Sequence, residues 1–385
     1  MESGLRADLR ALPRPAWLLF AGTFVNRFGT FVLVFLVLYL TRKGYSAGEA
    51  SLALSAYGIG AIVASVLGGT LADRLGGRNT IAGSMFSSAA FLLALSQARG
   101  LATIVVLTAL VGLTSELYRP ASSALLADLT APGARVTAYA VYRFAINLGF
   151  AAGPATAGFL ADRSFFLVFL GDALSSIAFG VLALVALPEG TRTPRAREPR
   201  GHLLRALRSD RRFLAFLLAS LLGSIVYFQQ QATFPLQVRD AGHPAAIYGL
   251  LISLNGLVIV LFELPLTALT GRRPPRRVMA LGSILVGLGF GVLGLSHALA
   301  ALAVAVLVFT IGEMVWSPVA NAYVADAAPE GLRGRYSGAW GLSFGIGLVI
   351  APPLGTAVYG ASPMALWLGC AGVGAVAALL VLKTG

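Results

Sequence analysis

The sequence predicts an all-α membrane protein with twelve transmembrane helices in two six-helix halves. Three observations carry this. Twelve apolar runs are each about 20 residues or longer, enough to cross roughly 30 Å of hydrocarbon as a helix. The 385 residues are 57% hydrophobic and only 12% charged, a balance that calls for lipid as solvent. A nine-residue stretch of the first half also returns, in altered form, 198 residues later.

Residues 1–14 are short, polar and basic, with Arg6, Arg10 and Arg14. The apolar runs, spans 1 to 12 below, fall near 15–40, 47–71, 79–97, 101–126, 136–161, 164–187, 212–236, 246–269, 278–296, 299–325, 335–359 and 363–382. The first is too long for the apolar core of a cleavable signal peptide. Cys370 is the single cysteine, so no internal disulfide is expected.

The net charge of +13 raises the question of nucleic acid, and its placement answers it. With a cytoplasmic N-terminus, 21 of the 29 basic residues lie on that side, against five in the outer loops (Arg42, Lys43, Arg99, Arg163, Arg239). Arg27, Arg119 and Arg143 lie inside spans. The bias predicts cytoplasmic termini, and it reads as a topology signal and a lipid contact rather than a nucleic-acid surface.

The segment 188–211 is rich in Pro and Arg and too polar to cross a membrane. It reads as a cytoplasmic linker, with a short surface helix at Leu203–Leu207, between a half at 1–187 and a half at 212–385. The halves repeat: Pro120–Asp128 returns as Pro318–Asp326, Arg135 as Arg333 and Pro154 as Pro352. Duplicated halves of this kind place a solute site near the membrane midplane between them.

Between spans 2 and 3 stands Gly68-Gly69-Thr70-Leu71-Ala72-Asp73-Arg74-Leu75-Gly76-Gly77-Arg78. Its glycines allow a tight turn and close helix packing. Asp73 and Arg74 are expected to end span 2 and Arg78 to open span 3. The second-half counterpart, Thr270–Arg277, keeps the basic charge and lacks the aspartate. The first-half turn is therefore the better candidate for a gating latch, with Asp128, Arg135 and Arg333 near the corresponding span ends.

Ionisable groups inside hydrocarbon are costly and point to function. Arg27 lies near the middle of span 1 beside Asn26, and Glu116 near the middle of span 4. Arg119 follows Glu116 by three residues and shares its face, which allows pairing. That pair either neutralises itself for insertion or handles protons or substrate. Arg143 lies on span 5, and Glu263 precedes Pro265 on span 8. Asp172, in the outer third of span 6, is expected to be wetted and structural. Glu313, midway along span 10, has no basic residue within a turn. It must find a partner on another span, bind a cation or carry a proton. Span 7 carries Tyr227, Gln229, Gln230 and Gln231, and three consecutive glutamines cannot share one helix face.

The pattern Gly69-x-Leu71-x-Asp73-Arg74-x-Gly76-x-Arg78 resembles the signature between helices 2 and 3 of the major facilitator superfamily, and the likeness extends over essentially the whole chain. Gly149-Phe150-Ala151-Ala152-Gly153-Pro154, then Gly158, resembles the span 5 signature of its drug/proton antiporter branch. Gly312-Glu313, Ser317-Pro318 and Leu332-Arg333-Gly334 are similar to helix 10 of proton-coupled oligopeptide transporters. Ile146-Asn147-Leu148-Gly149 and Asn26-Arg27-Phe28 are similar to their helices 5 and 1. The first likeness implies alternating access, proton antiport and a latch role for Asp73 at the start of span 11. The second implies an amine contact for Glu313 and a carboxylate or proton-coupling role for Arg27.

The leading expectation is export of small amphiphilic or cationic compounds against proton entry, by a monomer in the inner membrane. It needs no cofactor beyond the coupling proton, no metal and no nucleic acid. The runner-up is proton-coupled movement of peptides or amino-acid-like zwitterions. A third reading, a non-transporting sensor or scaffold, predicts no substrate-dependent flux. No nucleophile–base arrangement, metal-ligand cluster or phosphate-binding loop points to an enzyme.

Overall fold

A computed structural model describes residues 9–10, 12–131, 134–190, 210–271, 273–329 and 332–383. The expected linker, with its surface helix, lies for the most part outside the described residues. Among the described residues, twelve helices are long and apolar enough to cross a membrane. They run over Arg14–Arg42, Ala47–Leu75, Gly77–Gln97, Leu101–Leu129, Arg135–Arg163, Phe165–Ala186, Arg211–Asp240, Ala245–Thr270, Pro275–Val292, Leu299–Ala327, Arg333–Ala361 and Pro363–Leu382. Each matches a predicted span. Spans 2 and 7 run four residues past their predicted ends, and span 9 stops at Val292 rather than near 296. There Leu293, Gly294 and Leu295 each bond three residues back, which tightens the last turn and closes the helix.

Helices suit this chain because hydrocarbon offers no partner to an open backbone group. The ends are closed locally. The Ser164 hydroxyl accepts the Phe166 N–H at the start of span 6, and the Ser362 hydroxyl accepts the Ala365 N–H at the start of span 12. Asp210 caps span 7 through the Phe213 N–H. Large apolar side chains such as Val185 and Leu264, 82% and 81% exposed, stand on the outside and need lipid to cover them.

Two spans are not continuous helices. Span 1 breaks into Arg14–Phe28 and Val32–Arg42. Span 7 breaks into Arg211–Tyr227, Gln229–Ala232 and Phe234–Asp240.

The chain forms two compact units, Met1–Leu36 with Ala56–Ala196, and Val37–Ser55 with Arg197–Gly385. In the first, span 3 packs on spans 4 and 6, and span 1 on spans 5 and 6. Its core holds Phe20, Met85, Tyr118 and Phe179, with the Tyr118 and Phe179 rings edge to face at 5.6 Å. In the second, span 9 packs on spans 10 and 12, and span 7 on spans 11 and 12. Its core is more aromatic, with Phe213 4.3 Å from Tyr336 and Phe216 stacked against Trp316. The repeat reaches the helix starts: Ala47 and Ala245, Gly77 and Pro275, Leu101 and Leu299, Arg135 and Arg333, and Phe165 and Pro363 are each 198 residues apart.

Candidate functional site

The structure gathers Arg27 and Arg119 around Glu116. Arg119, one turn along span 4, brings Nη1 to 2.8 Å from Glu116 Oε2. The Tyr57 hydroxyl, from span 2, donates to Glu116 Oε1 at 3.2 Å and lies 3.0 Å from the Ser115 hydroxyl. Gly112 lets Tyr57 come this close, because a methyl there would strike the Tyr57 carbonyl. Arg27 Nη2 stands 3.6 Å from Glu116 Oε1, while its Nε donates to the Tyr118 hydroxyl at 2.7 Å. The Arg27 and Glu116 side chains are only 11% and 13% exposed, so removing either leaves a buried charge short of a partner. Arg27 thus takes Glu116 as its partner. Asn26 turns elsewhere and donates to the Met85 sulfur at 3.3 Å.

Two glycines set the position of Arg27. Gly149 lies against the Phe24 carbonyl and the Arg27 Cβ, and Gly153 against the Phe28 carbonyl. The span 5 glycines therefore seat span 1 within their own unit, while Pro154 and Gly158 are buried in the same helix.

The break in span 1 follows from Asp172. Its Oδ2 accepts the Phe31 and Val32 N–H groups at 3.1 and 3.0 Å, so a side chain of span 6 caps the helix that begins at Val32. Asp172 is structural in this sense, but the expectation of a wetted residue is corrected: it is 7% exposed.

In the second unit Glu313 finds its partners across the bundle. The Tyr227 hydroxyl stands 3.4 Å from Oε1, and Asn255 Nδ2 donates to Oε2 at 3.1 Å. Asn255 also donates to the Thr310 hydroxyl at 2.9 Å, which fixes its amide. Glu313 forms part of the wall of a cavity of about 300 Å³, with Tyr227, Trp316, Trp340 and Phe344 around it. Trp316 and Trp340 are 6.0 Å apart, and Phe344 is 6.3 Å from Tyr227. Rings facing a carboxylate form an apolar chamber with one site of negative charge, a setting that attracts organic cations. The sequence reading missed Asn255 and the three rings besides Tyr227. Trp340 and Phe344 are four apart on one helix face and Trp316 is three beyond Glu313, a spacing that could have drawn attention to them.

The glutamines of span 7 sit at its break and are all buried. Gln229 donates to the Ile225 and Ala351 carbonyls and accepts from the Thr233 hydroxyl, so its role is interhelical bonding. Gln230 is 1% exposed and neither atom of its side-chain amide has a hydrogen-bond partner. Arg143, Asn147 and Glu263 line neither this cavity nor the small one beside Arg27.

Spans 2 and 3 are joined by one residue, Gly76, at φ 84°, a conformation open to glycine at little cost. Asp73 and Arg74 lie in the last turn of span 2, as expected. Asp73 makes no hydrogen bond or ion pair among the described residues. Arg78 pairs with Glu189 beyond the end of span 6, at 2.6 Å. Arg135 donates to the Ala127 carbonyl at the end of span 4, near the exposed Asp128. A methyl on Gly69 meets open space, whereas one on Gly68 would strike the Leu117 carbonyl. The Arg333 side chain lies outside the described residues. Among them no cluster of three or more His, Cys, Asp or Glu can hold a metal.

The Major Facilitator Superfamily model matches residues 19–243 and 230–384. The chain is 30% identical to the MFS-type transporter YqjV of Bacillus subtilis, over 88% of this chain and 85% of that one. It is 27% identical to a Na(+), Li(+), K(+)/H(+) antiporter of Planococcus maritimus, over 90% and 88%. It is 24% identical to the multidrug resistance protein MdtH of Aeromonas salmonicida, over 86% and 84%. A crystal structure of a POT family transporter in complex with a thioalcohol-conjugated peptide superposes with a TM-score of 0.82 at 16% identity, over 98% of each chain. That likeness is one of fold.

Proposed function

Because the chain belongs to the major facilitator superfamily, we propose that it is a proton-coupled exporter of small amphiphilic or cationic compounds, working by alternating access. The carrying observation is the chamber of about 300 Å³ in which Glu313 meets Tyr227, Trp316, Trp340 and Phe344. A cation seated against Glu313 competes with a proton for the same carboxylate, and that competition is the elementary step of antiport. Relatives that are an alkali-cation/proton antiporter and a multidrug resistance protein support exchange of this kind. The ring-rich wall favours an organic cation over a bare metal ion, which seeks a shell of oxygens. The protein is read as a monomer of the inner membrane with cytoplasmic termini, its halves 1–187 and 212–385 joined by the basic linker, and with Asp73 as latch.

The second reading, movement of peptides or similar zwitterions, is supported by the likeness of spans 1, 5 and 10. It needs Arg27 to receive a carboxylate. The commitment of Arg27 to Tyr118 and Glu116 speaks for export. Proton flux in proteoliposomes with a pH-sensitive dye inside tests both. Lipophilic cations should provoke proton movement that Glu313→Gln abolishes. Movement provoked only by di- and tripeptides, and lost in both Glu313→Gln and Arg27→Ala, would replace export by the peptide reading.

A further inference from the structure

Asp172 does more in this fold than close a helix end. Only Oδ2 is used by the cap. The carboxylate makes no ion pair among the described residues. Beside it lies a cavity of about 20 Å³, the room of a single water molecule. Asp172 and Ser176 line it from span 6, Ser88 from span 3, Arg27 from span 1, Tyr57 from span 2 and Glu116 from span 4. Ser88 is 1% exposed, and its hydroxyl has no hydrogen-bond partner. Arg27 Nη2, though near Glu116, has none either. Two unused donors and a half-used carboxylate around a water-sized space match what a buried water requires, two to four polar partners.

We propose that Asp172 is a proton-binding site of the first unit, reached through a water held between Ser88, Arg27 and the carboxylate. The proton passes from solvent by way of that water to Oδ1, where an O–H bond forms and the carboxylate loses its charge. Oδ2 stays as a carbonyl oxygen facing the Phe31 and Val32 N–H groups, now a weaker acceptor, so the cap loosens without being lost. The charged and titratable groups that face the cavity are Arg27, Tyr57 and Glu116. Spans 3 and 5, which also pack near span 6, add none to its lining. With Asp172 ionised, Arg27 and Arg119 balance Glu116 and Asp172 and the group is neutral. With Asp172 protonated, its net charge is +1. Proton uptake therefore changes both the field around Arg27 and the hold on the outer part of span 1. None of this depends on which solute the protein carries.

The test is infrared difference spectroscopy of the full-length protein in lipid, taken between alkaline and acidic buffer with no solute present. Asp172→Asn keeps a carbonyl oxygen for the cap and cannot take the proton. The expected result is a protonated-carboxyl stretch that Asp172→Asn removes, that Glu313→Gln leaves, and that Ser88→Ala retains with its midpoint moved by about half a pH unit or more. A spectrum unchanged by Asp172→Asn overturns the proposal, as does a band that follows sodium at fixed pH. Should Asp172→Asn fail to fold, Ser88→Ala decides, and an unmoved midpoint sinks the water-linked site.

Discussion

Tyr57 and Asn255 stand 198 residues apart, and each donates a hydrogen bond to the mid-span glutamate of its own unit, Tyr57 to Glu116 and Asn255 to Glu313. The two units thus use one construction for different ends. In the first, two arginines and one tyrosine hydroxyl surround the carboxylate. In the second, an amide and a ring hydroxyl hold it at the wall of an open chamber.

The chamber makes Glu313 a competitive site for cation and proton. Binding of tetraphenylphosphonium by the purified protein should strengthen as pH rises, since fewer carboxylates then hold a proton. In Glu313→Gln binding should fall roughly tenfold or more and become flat with pH. Asn255→Leu removes one bond to the charged form and should weaken binding by a smaller factor. A Glu313→Gln protein that keeps its pH slope, read by equilibrium dialysis, rules the site out.

The rings make a separate prediction. Trp340→Ala and Phe344→Ala should each lower affinity for tetraphenylphosphonium without altering its pH slope, because they remove area and ring contact but no charge. Cation binding should also quench tryptophan emission in the unaltered protein, and the quench should shrink in Trp340→Ala. Titration by fluorescence checks both.

Around Glu116 the effect is on stability. Glu116→Gln leaves Arg27 and Arg119 facing each other with no carboxylate between them, and about 3–5 kcal/mol is the usual cost of breaking such a buried pair. Arg119 is 53% exposed, and Arg119→Ala leaves the Arg27 contact in place, so its cost should be much smaller. Thermal melts in detergent should rank Glu116→Gln well below Arg119→Ala; the reverse order would mean that Arg119, not Arg27, is the essential partner.

Glycines with and without room around them should behave differently. Gly153→Val drives a side chain into the Phe28 carbonyl and should cost about 1–3 kcal/mol, with a lower melting temperature. Gly69→Ala points into open space and should melt like the unaltered protein. Equal melting of the two variants would show that span 1 can move away from span 5 at little cost.

The span plan was legible because run length against bilayer thickness is a local property, and each span carries its own signal. Pairing of Glu116 with Arg119 was legible for the same reason, since three residues on a helix settle it. The break after Phe28 was not. Residues 28–32 read as continuous apolar chain, and the cause, Asp172, lies 140 residues from Val32. The chamber around Glu313 was hidden in the same way, being assembled from spans 7, 9, 10, 11 and 12. Asp172 shows the limit of a linear reading: its position in the outer third of span 6 predicts access to water, whereas packing against span 1 buries it.

The offset of 198 shared by the starts of spans 2 to 6 and 8 to 12 gives each position there an address in the other half. Glu313 falls on Ser115, Ser88 on Val286 and Asp172 on Cys370. Each of these three groups is therefore paired with its own deletion in the other half, on nearly the same backbone. Transplanting an acid from one address to its twin, as in Cys370→Asp, asks whether a site belongs to its side chains or to the frame that holds them, and the molecule itself supplies the control.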